Sequence, residues 1–184
     1  VWLCAAGVWL TGCGNQPMWQ DTFYTMDTVV TLTLPESDAN ATRKSLEALS
    51  QQLNCYADQG ALAALNASGT SQDADLRDVI SQTILLEDRF GTGVQLSSGA
   101  LSRLWRITSE HPRVPTDADR LAALETLGDD RIRLDRSGIT LPADMQLDLG
   151  AVAKGYALDQ TAQQWQDAGI AWGILSLRSS VLLY

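Results

Sequence analysis

Across residues 29–34, VVTLTL, apolar side chains alternate or nearly alternate with threonine, a period of two that predicts a strand, and Pro35 ends it. The rhythm then changes. In SDANATRKSLEALSQQLNCY, Leu46, Leu49 and Leu53 recur at helical spacing, with Ser37 or Asp38 as the candidate cap. LRDVISQTILLEDRF predicts a second amphipathic helix, with Leu76, Val79, Ile80, Ile84 and Phe90 on or near one face. PTDADRLAALETLG predicts a third, in which Thr116 caps, Asp119 is placed to reach back and Gly128 stops the helix. RIRLDRSGITLP reads as a hairpin turning at Arg136, Ser137 and Gly138. LDLGAVAKGYALDQTAQQWQDAGI reads as a short strand, a turn at Gly150 and a helix, and WGILSLRSSVLLY as a last strand. Strands and helices mix without a regular βαβ rhythm and without an internal repeat. The expected class is therefore α+β, a mixed sheet with packed helices.

Composition narrows the field. The 184 residues are 45% hydrophobic and 19% charged, a globular balance long enough for one real core. A net charge of -9 argues against a duplex nucleic-acid partner, which needs a basic face. The single histidine, His111, sits before Pro112 in a loop-like stretch, so no His-based triad or His-rich metal site can be built. Trp105, Trp165 and Trp172 read as core or rim packing. Asp129 and Asp130 after Gly128 read as a solvated turn, and Asn66 as a helix cap.

The front of the chain differs from the rest. VWLCAAGVWLTGCG carries no charge and is too short to span a bilayer. It resembles the apolar part of a secretory signal, and its end, LTGC, resembles a bacterial lipobox in which Cys13 is acylated. The competing reading is an apolar first element of the fold. On the signal reading, residues 1–13 are signal and lipobox, 14–21 a linker, and 22–184 the folded domain. The protein is then lipid-anchored to a bacterial cell membrane, on the extracytoplasmic face or in the periplasm. Of three cysteines, Cys4 and Cys13 are then used up, leaving Cys55 without a disulfide partner.

The stretch from Leu147 carries the most chemistry. A turn at Gly150 entering a helix exposes backbone N–H groups where the helix dipole favours an anion. Lys154 adds a mobile positive charge suited to a diphosphate. Asp148 can accept from a ring N–H or help hold a cation. The glycine spacing of a P-loop is absent. The plain alternative is a tight turn with a solvated lysine.

Four segments, in order, resemble the ApbE family of FAD:protein FMN transferases: YTMDTVVTLTL, LNCYADQGALAALN, LSRLWRI and LDLGAVAKGYALDQ. The last is close to that family's Asp-Leu-Gly-Gly-Ile-Ala-Lys-Gly-Tyr-Ala-Val-Asp motif, and the lipobox also fits. The resemblance, covering residues 22–177, implies magnesium-dependent transfer of FMN from FAD to a threonine or serine hydroxyl of a target protein, with release of AMP. It implies that Met26 packs on the flavin nucleotide and Tyr56 stacks on a ring. It further implies that Gly93, Val94 and Gln95 form a turn lining FAD, that Asp148 and Lys154 contact FAD, and that the Ala151 carbonyl is a magnesium ligand. Asp159 belongs to the motif and reads as structural. An alternative of another class is a non-catalytic cell-envelope lipoprotein that keeps the fold and binds a flavin nucleotide or nothing.

The sequence departs from the family pattern at three places. Gly93-Val94-Gln95 replaces Ala-Phe-Asp, so a neutral side chain stands where the family has an acid. Arg178-Ser179 replaces a glycine pair where backbone is expected to approach a ligand. The resemblance also places the acidic magnesium ligands past the position matched by Tyr184, so the chain is read as a truncated member that will not turn over alone.

Overall fold

The computed structural model describes residues 18–35, 39–106 and 109–184. The residues read as signal and lipobox, most of those read as linker, and the candidate caps Ser37 and Asp38 lie outside the described residues. None of the helices described is long and apolar enough to cross a membrane.

The first sheet is antiparallel, with strand order β1-β2-β6-β7. Its strands are β1 (Trp19–Thr25), β2 (Thr28–Leu34), β6 (Ile174–Ser176) and β7 (Val181–Leu183). Strand β1 takes up Trp19, Gln20 and Asp21, the last residues of the stretch read as a linker. The alternation in β2 has its expected cause: Val30, Leu32 and Leu34 are fully buried while the side chains between them face outward. The buried face packs on helices α1 (Ala39–Leu53) and α6 (Ala153–Asp167), through Leu46, Ala157 and Trp165. Trp165 is wholly buried and donates its indole N–H, the one polar group of that side chain, to Thr42 Oγ1 at 2.8 Å.

The second core forms around helices α2 (Ala61–Ser68) and α3 (Ala74–Phe90) and a small sheet, β3 (Thr70–Ser71), β5 (Gly138–Thr140) and β4 (Arg133–Asp135). Helix α3 is capped by Asp73, whose carboxylate accepts from Leu76 N at 2.9 Å. The β4–β5 hairpin turns at Arg136-Ser137, as its sequence predicts. Gly138 is required there: its φ is +125°, and a Cβ would lie 2.2 Å from the Ser71 carbonyl oxygen of the neighbouring strand. A 3₁₀ turn at Leu96–Ser98 leads into α4 (Gly99–Trp105), and α5 (Asp117–Leu124) follows. Thr116 caps α5 by accepting from Asp119 N at 3.2 Å; the helix ends at Leu124, four residues before Gly128.

Two predicted strands take another form. Residues 172–184 fold as a β6–β7 hairpin rather than one strand, and Arg178 turns it with a φ of +64°. Residues 145–149 are extended but join no ladder. Met145, Leu147 and Leu149 are buried in alternation, and the segment's backbone is held instead by Leu96, Gly99 and Asn66.

Candidate functional site

The β1–β2 hairpin closes in a two-residue turn, Met26-Asp27, with both residues at a φ of 52°. Left-handed pairs of this kind match the twist of the strands and usually carry Asn or Gly. The turn is pinned to α1 by Ser50 Oγ, which accepts from Met26 N at 3.0 Å. The Met26 side chain packs against both hydrophobic cores.

Opposite this turn lies the extended segment 145–149. Gly99 N donates to Gln146 O at 3.0 Å, and Asp148 N to Leu96 O at 2.8 Å. Asn66, inside α2 rather than at its cap, completes the support: Nδ2 donates to Leu147 O at 2.9 Å and Oδ1 accepts from Leu147 N at 2.7 Å. Gly99 permits this approach, since a Cβ there would lie 2.7 Å from Gln146 O. Asp148 emerges half-buried, and its Oδ1 accepts from Gly150 N at 2.8 Å, which shapes the turn into α6.

The entry to α6 is partly satisfied and partly open. Leu149 O accepts from both Val152 N and Ala153 N. No hydrogen bond within the described residues takes up the amides of Ala151, Lys154 or Gly155, or the carbonyl oxygen of Ala151. Unpaired N–H groups at the positive end of a 15-residue helix, with Lys154 beside them, form an anion-accepting corner.

Two cavities meet at that corner. One, of about 140 Å³, is lined by Met26, Asp27, Asn54, Tyr56, Asp148 and Lys154 among others. The other, of about 380 Å³, lies between α3, α6 and the β6–β7 turn, and includes Ala151, Lys154, Tyr156, Asp159 and Ser179. Tyr56 is half-exposed and its ring lies 5.6 Å from the Arg103 guanidinium, which also hydrogen-bonds Cys55 O. Burial, and then the nearby Cys55 and Asp148, raise the Tyr56 phenol above its usual value. Cys55, 4% exposed on the cavity wall, has its thiol pushed up to about 11, chiefly by burial and secondarily by Asp148.

The fold thus brings Met26, Tyr56, Asp148 and Lys154 around one cavity, and places Ala151 and Asp159 on the adjoining one. Gly93, Val94 and Gln95 line neither. Val94 packs on the second core, and Gly93 N donates to Glu87 Oε2 at 2.8 Å. Gln95 Nε2 donates to Asp129 Oδ1 at 2.7 Å and to Ser97 Oγ at 2.8 Å. Asp129 is no solvated turn residue. It accepts from the backbone of Leu96 and Ser97 at 2.7 and 2.8 Å, tying the loop after α5 to the segment that supports Asp148. Sequence reasoning missed the roles of both Asp129 and Asn66; the Leu65-Asn66 pair was the visible signal for the second.

For a divalent metal the fit is partial. Ala151 offers a free carbonyl with Asp159 on the same cavity, and among the described residues no three His, Cys, Asp or Glu side chains converge.

Residues 26–183 match the family model described as the ApbE family. A protein of Treponema pallidum named FAD:protein FMN transferase is 32% identical over 146 residues, 70% of this chain and 40% of that protein. Among solved structures, the ApbE protein of Thermotoga maritima superposes with a TM-score of 0.82 at 19% identity, over 91% of this chain and 59% of its own. The flavin transferase ApbE of Vibrio cholerae does so at 0.78 and 20%, again over 91% and 59%. This chain therefore spans less than two thirds of each relative, and over that span its fold is theirs. With the family model matched from the Met26 turn to the last strand, the chain belongs to the ApbE family.

Proposed function

We propose that this chain forms the FAD-binding part of an FAD:protein FMN transferase. The observation that carries the reading is the corner itself: Lys154 and three unpaired amides at the start of α6, with Met26, Tyr56 and Asp148 around the adjoining cavity. In this reading Lys154 and the amides of Ala151, Lys154 and Gly155 hold the diphosphate. Met26 packs on a ring and Tyr56 stacks on one. The second oxygen of Asp148, the one not engaged by Gly150, accepts a ring N–H.

The reaction is a phosphoryl transfer to a threonine or serine hydroxyl of a target protein. The hydroxyl oxygen forms a bond to the FMN phosphorus, the diphosphate P–O bond breaks, AMP leaves with the bridging oxygen and its electron pair, and the hydroxyl proton is released. This chain's residues contribute positioning and charge compensation. Magnesium, when bound, would offset the charge on the transferring group, and the Ala151 carbonyl would be one of its ligands.

The proposal extends to location. Residues 1–12 are removed and Cys13 carries lipid, which anchors the domain to a bacterial cell membrane on the extracytoplasmic face or in the periplasm; the apolar run ending in LTGC supports this. Mass spectrometry of membrane-extracted protein checks it, and a species retaining Val1 or a free Cys13 thiol refutes it.

Titration of FAD against the purified chain, followed by flavin fluorescence, tests the site. Lys154→Ala is expected to weaken binding by about 1–3 kcal/mol, the scale of a charge-assisted hydrogen bond. Equal affinities of the two proteins would remove the diphosphate from this corner.

A further inference from the structure

Asp27 stands where local energetics favour another residue. Its φ is 52°, in the region glycine occupies freely and an L side chain does not. The tip of a two-residue hairpin asks for Gly or Asn at this position. The carboxylate is exposed and accepts no hydrogen bond from any described residue, so it does not compensate the turn by capping it. It lines the same cavity as Tyr56, Asp148 and Lys154. Backbone strain of this kind persists where the side chain serves a purpose other than stability.

The charge pattern says what that purpose is. Lys154 and the open amides mark one part of the cavity as anion-accepting. Asp27 contributes a negative, acceptor-only group with both oxygens unspent. A phosphate beside it would be repelled, whereas a neutral N–H or O–H donor would form a charge-assisted hydrogen bond. We propose that Asp27 is a specificity-determining residue: its carboxylate accepts a hydrogen bond from a neutral donor of the bound nucleotide and keeps phosphate away from the hairpin end of the cavity. The proposal rests on the FAD-binding reading and deepens it by giving the ligand a direction. The donor is a ring or exocyclic N–H, or a sugar-type hydroxyl, and belongs either to the flavin half or to the adenylate half.

The test uses the whole chain as wild type, Asp27→Gly and Asp27→Asn, each titrated with FAD, riboflavin and AMP. Asp27→Gly removes the acceptor and relaxes the turn. It is expected to keep or raise the thermal midpoint and to weaken FAD about tenfold, the scale of one hydrogen bond to a charged group. Asp27→Asn tolerates the same φ and keeps an acceptor oxygen, so it should restore part of the loss. A parallel loss for riboflavin places the donor in the flavin half; a loss for AMP places it in the adenylate half. Unchanged or tighter FAD binding by a folded Asp27→Gly overturns the proposal while leaving the FAD-binding reading intact. If the wild type binds no FAD, both fall together.

Discussion

The side-chain amide of Asn66 closes a two-bond ring on the backbone of Leu147, 81 residues away, at 2.9 and 2.7 Å. A side chain thereby stands in for the neighbouring strand that residues 145–149 lack. Asn66→Ala leaves the N–H and C=O of a fully buried residue unpaired, and each such group costs about 1–3 kcal/mol. A lowered urea midpoint is expected, together with weaker FAD binding, because Asp148 follows directly. Asn66→Asp keeps the acceptor for Leu147 N but faces Leu147 O with a lone pair, so it should recover little.

Gln95→Asp restores the family's acid at that position and is expected to harm this chain. Gln95 Nε2 now donates to Asp129, whose oxygens also serve two backbone amides. A second carboxylate there loses a hydrogen bond and adds like-charge repulsion. The loss should exceed 1 kcal/mol, roughly the worth of one hydrogen bond, and should grow at low ionic strength. Chemical denaturation at two salt concentrations reads both effects.

The Cys55 thiol supplies a pH dependence with a definite sign. Its folded value is raised to about 11, above that of the unfolded chain, where the thiol titrates near ~8.5. The neutral thiol is thus the form the fold prefers. Its contribution to stability is complete below about pH 8 and is lost as pH rises through 11. Native protein at pH 8 should react slowly with iodoacetamide and quickly in urea, and Cys55→Ala should flatten the fall in stability between pH 8 and 11.

Arg178→Gly should stabilise the protein. Arg178 is exposed and turns the β6–β7 hairpin at a φ of +64°, where an L residue pays about 1–2 kcal/mol. Part of that gain is cancelled by the extra freedom glycine gives the unfolded chain. A rise in thermal midpoint is the expected result.

Those elements whose signal is local were legible in the sequence. Helices α1, α3 and α5 carry apolar stripes or caps, β2 alternates, and the Arg136-Ser137-Gly138 turn announces its hairpin. Helices α2 and α4 are short, and α2 is nearly all apolar or small, so no stripe marks them. The β6–β7 turn was hidden because the residue that turns it at positive φ is Arg178, not a glycine or asparagine, and the serines beside it mark a reversal only weakly. Residues 145–149 alternate as a strand does because one face is buried, yet nothing in that alternation says whether a strand or an asparagine will hold them. The same division holds at the site. Asp148 and Lys154 share one local motif, whereas Asp129 reaches Ser97 across 32 residues and leaves no mark in either segment.

Met26 touches both hydrophobic cores from the tip of one hairpin and also lines the cavity. The two cores therefore share a rivet, and its head is the wall of the binding site. A ligand pressed against Met26 resists the parting of the two halves, so its binding energy enters the cooperativity of unfolding as well as its midpoint. In hydrogen exchange, saturation with ligand should slow amides of β2 and of α3 together, although α3 places no residue in that cavity.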